Sequence, residues 1–383
     1  MATLLEIPHE LRQIILTLAI WNPEPPPKCP QESRDRMRLR DDWGVWVLIS
    51  EREPSAVSLL LACRTLHDDV VDLLASQNAA HVYELDVMFI PVCGLLPTWT
   101  CCPPPSQVQI NTINVNFRIF DDEDGLSKRF GGHCSFEVSR TYPNPPHSAW
   151  NFYRLLASFL ALGPQALSSP AWQLSHHGSL STCRFTIRHL VISITSNQRT
   201  ELDELSDLED SFWNPLALYN HDYTTPYGVP GELRIFPGPG EESPYSWPRT
   251  TNQWNASSAL EERLGLYLTN AFWALLDFGW LSRGFGLIVY EGILDDIEIW
   301  VDGERRVRYD LDDLLSHLPG IDSNPEDMAA LMRWSEWVKK WRNKSREGVL
   351  FIEPRPSWPF TRYRPHNSID WEFGDGVSEY LHP

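Results

Sequence analysis

Residues 4–21 read LLEIPHELRQIILTLAIW, and the fold turns on whether this stretch is core or an exposed recruiting surface. Its local chemistry predicts a helix. Pro8 suits the first helical position, because its missing N–H would be unpaired there anyway. Glu10 follows within the first turn, where the helix dipole favours a negative charge. Leu11, Ile14, Ile15 and Leu18 then recur at i, i+3, i+4 and i+7, giving one apolar stripe. The proline-dense run NPEPPPKCP (22–30) must stop the helix.

Outward from this helix, residues 22–54 are Pro-rich and then strongly charged, as in RDRMRLRDDWG. They read as an excursion from the fold, with GVWVLIS (44–50) as a short strand. In SAVSLLLACRTLHDDVVDLLASQN (55–78), Leu59, Cys63, Leu66, Val70 and Leu73 share a helical face. Thr65 and Asp68 have capping-box spacing, so two short helices broken near Arg64 are expected.

Farther along, strands are expected at AHVYELDVMFI (80–90), QINTINVNFRIF (109–120), CRFTIRHLVISIT (183–195) and GILDDIEIWVDGE (292–304). Helices are expected at SAWNFYRLLASFLALGP (148–164) and SALEERLGLYLTNAFWALLDFG (258–279). The last helix follows Asn324, a good cap, and carries Ala330, Trp334, Trp337 and Trp341 as a stripe. That stripe reads as the face docking this helix on its own sheet. Strands separated by helices favour parallel crossovers.

The fold class is therefore α+β. An N-terminal helical segment, residues 1–80 with its insertion at about 22–54, packs on an irregular mixed strand–helix domain, 81–383. That domain holds a long loop at about 201–256 and an aromatic, Pro-rich tail.

Composition narrows the function. The net charge of −19 repels polyanions, which argues against nucleic acid. No apolar run approaches the ~20 residues that span a bilayer, so no membrane partner is expected. Seven cysteines at irregular spacing, with no signal-like N-terminus, suggest a reduced, intracellular protein, cytoplasmic or nuclear.

Candidate chemistry is sparse. Cys93, Cys101-Cys102 and His133-Cys134 lack the two short-spaced ligand pairs of a structural zinc site. The acidic turn DDEDG (121–125) has Gly132, not glutamate, at the twelfth position of a calcium loop. His176-His177 has no acid nearby in sequence, and no nucleophile elbow or H-E-x-x-H occurs. GFGLIV (284–289) follows a helix and leads into a possible strand, the reverse of a dinucleotide fingerprint. The sequence implies no catalytic residue, no metal and no cofactor.

One pattern remains. LLEIPHELRQIILTL, followed by LLLACRTLHDDVVDLL, resembles the F-box-like N-terminal module common in fungal proteins. The resemblance rests on Leu5, Ile7, Pro8, Glu10, Leu11, Arg12, Ile14, Leu18, Leu60, Cys63, Arg64, Leu66 and Asp69. It departs from the usual form in its long insertion and in Ile7, where leucine is usual. In that family the module binds the small adaptor subunit of a cullin-RING ubiquitin ligase, and the remainder holds a protein substrate. The resemblance thus implies an adaptor surface of Leu5, Ile7, Pro8, Leu11, Ile14 and Ile15, with Cys63 and Leu66 alongside. The alternative is a small-molecule-binding protein or an enzyme of fungal metabolism whose N-terminal helices are only core.

Overall fold

The computed structural model describes residues 4–33, 35–38, 45–48, 55–76, 82–90, 94–103, 108–120, 147–163, 167, 185–196, 285–316 and 325–356, with individual positions between 261 and 276. The fold is α+β.

After a 3-10 turn at Leu4–Glu6, helix α1 runs His9–Trp21. Pro8 sits just outside it as the N-cap, and Asn22 ends it in an extended conformation ahead of Pro23. Helices α2 (Ser55–Ala62) and α3 (Arg64–Ser76) break at Cys63, one residue from the expected place. Together the three helices enclose a small core of Leu16, Ile20, Leu66, Val70, Leu73 and Leu74.

The insertion is not an excursion. Its strands β1 (Arg36–Arg38) and β2 (Trp46–Leu48) pair antiparallel, with Val45 and Val47 fully buried. Arg36 explains why so charged a run folds inward. Its buried guanidinium donates to Ser33 Oγ (2.7 Å), Trp46 O (2.7 Å) and Pro97 O (2.8 Å). Carbonyls along a sheet edge need donors when water is excluded, and this arginine supplies them.

The sheet that receives it has six strands in the order β4-β3-β5-β6-β7-β8. Strands β3 (Val82–Ile90), β5 (Gln109–Ile119), β6 (Thr186–Ser196) and β7 (Ile293–Val301) are parallel. Strands β4 (Gly94–Cys101) and β8 (Glu304–Asp310) close its edges antiparallel. The strand–helix domain is thus built on one mixed six-stranded sheet.

Neither edge strand was expected from the sequence. In β4, Pro97 interrupts the strand signal, and an edge position tolerates it. For β8 the missed signal is Asp302-Gly303, both at positive φ (48° and 81°), the two-residue turn that Asp-Gly favours in hairpins.

Helices α4 (His147–Leu162), α5 (Phe285–Gly292), α6 (Leu311–Ser316) and α7 (Pro325–Arg346) share one core with the apolar side of all six strands except β4's outer positions. The described positions between 261 and 276 are helical, and Leu264, Leu268, Phe272 and Leu276 join that core. Residues 285–289 belong to α5, which leads directly into β7 at Ile293. Gly292 marks the switch. A Cβ there would come within 2.3 Å of Leu160 Cδ1, so α4 and this turn approach as closely as glycine permits.

On α7, Ala330 and Trp334 are buried and Trp337 and Trp341 half-buried, so the stripe docks the helix within its own chain. Beside them the buried Arg342 donates to Tyr290 O (3.1 Å) and Ile293 O (2.5 Å), satisfying carbonyls at the end of α5. Among the described residues, no helix is long and apolar enough to cross a membrane.

Candidate functional site

The outer surface of α1 is apolar. Leu11, Ile14, Ile15 and Leu18 are 53%, 57%, 44% and 65% exposed, and Leu5 on the preceding turn is exposed as well. The buried side of α1 is Arg12, Leu16 and Ile20. The stripe that periodicity picks out is thus the one the chain leaves uncovered. Four aliphatic side chains adjoining on one helix are an uncommon thing to leave in water, and such patches mark interaction surfaces.

What holds the stripe outward is a buried ion pair. Arg12 Nε donates to Asp69 Oδ2 of α3, both side chains being about nine-tenths buried. Its Nη1 reaches Leu5 O (3.5 Å) and Ile7 O (3.4 Å), which tethers the turn before the helix. His9 Nδ1 lies 3.1 Å from Asp69 Oδ1, and Gln13 Nε2 donates to Asp69 O at 3.3 Å. Removing either partner would strand a buried charge, so α1 is fixed in rotation against α3. Arg12 and Asp69 are both among the residues on which the resemblance rests.

The other residues expected at this surface divide. Pro8 is exposed at the start of α1, and Ile7 and Cys63 are half-buried. Leu66 points into the three-helix core at 8% exposure and is not available to a partner. Two exposed apolar residues were not anticipated, Leu61 on α2 and Val71 on α3. In the run Leu59-Leu60-Leu61, Leu61 falls off the Leu59, Cys63 and Leu66 face, and that offset was the available clue.

Little else invites chemistry. Burial raises the Cys101 thiol to about 11, with Glu84 adding to the effect, and drives the Cys102 thiol higher still. Neither is a ready thiolate. Cys93, His133, Cys134, His176, His177 and the acidic turn at 121–125 lie outside the described residues. Among the described residues, no group of three or more His, Cys, Asp or Glu side chains gathers as a metal site would require.

Comparison with known proteins adds no assignment: no family model matches the chain, and no curated protein or solved structure is similar to it.

Proposed function

We propose that this protein is an interaction adaptor. Its α1 surface docks the small adaptor subunit of a cullin-RING ubiquitin ligase, and its sheet domain presents a protein substrate. The observation that supports this reading is the exposed stripe of Leu11, Ile14, Ile15 and Leu18 on a helix whose opposite side is locked by Arg12 and Asp69. Helices serving only as core would turn these residues inward, where each buried aliphatic side chain is worth roughly 1.5–3 kcal/mol. The chain forgoes that stabilisation and keeps a rigid apolar ridge at its surface. A preformed ridge binds without the cost of ordering it first.

A pull-down of the full chain with purified adaptor subunit tests the reading. Capture comparable to that of a known F-box protein is the expected result. No capture under conditions where the known protein binds would overturn it.

A further inference from the structure

Beyond α7 the chain turns back across that helix. Gly348, at φ 67°, supplies the left-handed residue that commonly ends a helix, and Val349 N donates to Lys344 O at 2.9 Å. Residues 349–356 then form neither helix nor strand. Their side chains alternate. Leu350 and Ile352 are exposed, whereas Phe351, Glu353 and Arg355 contact the fold. A period of two marks an extended segment, so these residues lie over α7 as a strap.

The fold receives the strap at three points. Phe351 stands edge-on to the parallel rings of Trp337 and Trp341, with centroids 5.8 and 6.1 Å away. Trp337 Nε1 donates to Glu353 O at 3.2 Å, and Lys340 Nζ lies 3.4 Å from the Glu353 carboxylate. Arg355 Nε donates to Glu291 Oε1 at 2.9 Å, an oxygen that also accepts from Trp334 Nε1. Glu291 is buried at the end of α5, so the slot holds a carboxylate that needs a cation opposite it. Paired indoles beside it present a site for a third ring.

We propose that this slot is a peptide-recognition site which the chain fills with its own strap. Its partner is a protein carrying an extended segment with an aromatic residue and, four positions on, an arginine. The seated strap itself specifies that chemistry through Phe351 and Arg355. Pockets for alternate side chains and a bond to one main-chain carbonyl are how extended peptides are commonly read. The strap can leave without opening the core, because α7 is seated on its other residues, the buried Leu331, Trp334 and Val338. An acidic segment is excluded by Glu291. A strap tethered in cis competes at an effective concentration on the order of millimolar, so it acts as an autoinhibitor of this site. The slot stands without α1, and only the partner's role as substrate of a ligase rests on that reading.

The test is fluorescence anisotropy with a labelled peptide of residues 348–356 and the full chain. A chain carrying both Phe351→Ala and Arg355→Ala, whose strap has lost its anchors, binds the peptide at least tenfold more tightly than the unaltered chain. Peptides with alanine in place of either the phenylalanine or the arginine bind that variant at least tenfold more weakly, and so does the original peptide when Trp337→Ala is added to the chain. Equal binding by the variant and the unaltered chain, or binding indifferent to the peptide's phenylalanine and arginine, overturns the proposal. So does loss of the variant's cooperative thermal transition, which makes the strap part of the core. A dimer of the unaltered chain that the peptide dissolves assigns the slot to a second copy and overturns the partner reading. The double variant still captures the ligase adaptor, and Ile14→Glu leaves peptide binding unaltered, so the two readings fail separately.

Discussion

On α7, Trp334 is fully buried and its indole N–H reaches Glu291 Oε1 at 3.1 Å, while Trp337 and Trp341 stack 6.2 Å apart beneath Phe351. On α1, four aliphatic residues at the same kind of helical spacing lie open to water. Each helix buries one arginine against an aspartate, Arg12 with Asp69 and Arg342 with Asp312, but they differ in what lies on the outer side. α1 shows Leu11, Ile14, Ile15 and Leu18, whereas α7 turns Trp334, Trp337 and Trp341 toward the sheet domain and shows Lys339 and Lys340. Helical periodicity therefore marks a stripe without saying what covers it. Covering is decided by what else the chain can bring to that side.

The largest test of this contrast is Trp334→Ala. It should cost about 3–5 kcal/mol, since it empties a packed site and removes a donor from the buried Glu291. Denaturant unfolding followed through the sheet domain would measure it, and a loss below about 1 kcal/mol would mean the stripe is not seated as described. Next comes Arg12→Ala. Leaving Asp69 buried and unpaired should cost about 3–5 kcal/mol, concentrated in the three-helix module with its separate small core. Amide exchange should speed up in α1 and α3 while β5 and β6 stay protected. Equal acceleration in both regions would show that the two cores unfold as one.

Much of this architecture is legible in the sequence where period and punctuation agree. β5 alternates from Ile113 through Val115 to Phe117, all inward, and α1 stops at its prolines. The strands of the parallel centre and the break at Cys63 follow the same local rules. What failed was non-local. Arg36 looked like one cation in a solvated run, and only the carbonyls of Trp46 and Pro97 reveal why it is buried. β4 and β8 are edges whose signals, Pro97 and Asp302-Gly303, are weak unless a neighbouring strand is already known. At the candidate site, the residues of the stripe were legible but their exposure was not. Leu66 was misplaced because a helical face in sequence carries no label of inside or outside.

The seat of α7 should also respond to pH, with a sign that separates two neighbouring carboxylates. Burial holds the Glu291 carboxyl above its ordinary range, against the charge of Arg355 and the hydrogen bonds from Trp334 and Arg355. The folded chain then keeps this proton more tightly than the unfolded chain. Stability from this group falls as pH rises from the usual glutamate range near about 4.3 toward the folded value. Asp295 behaves oppositely. Burial pushes it up, but hydrogen bonds and charge from Arg346 and Arg188 outweigh burial and hold it below the ordinary range. Its contribution is present above the usual aspartate range and is lost as pH falls through the folded value. Denaturation across a pH series should therefore descend less steeply in Glu291→Gln and ascend less steeply in Asp295→Asn. Profiles identical to that of the unaltered chain would refute both assignments.

The smallest effect on stability belongs to the α1 stripe, and it carries the most functional information. Ile14→Glu and Leu18→Glu alter exposed positions, so each should change unfolding free energy by no more than about 0.5 kcal/mol. Capture of the ligase adaptor should nevertheless weaken tenfold or more, a loss of about 1.4 kcal/mol. A stability cost near that of Trp334→Ala would show that another part of the chain covers α1 in solution, and the contrast between the helices would vanish. If both variants fold normally and still capture the adaptor, docking must use other residues, with Leu61 and Val71 the nearest exposed apolar candidates on α2 and α3. Stability and capture together thus distinguish a helix left bare for a partner from one whose cover lies within its own chain.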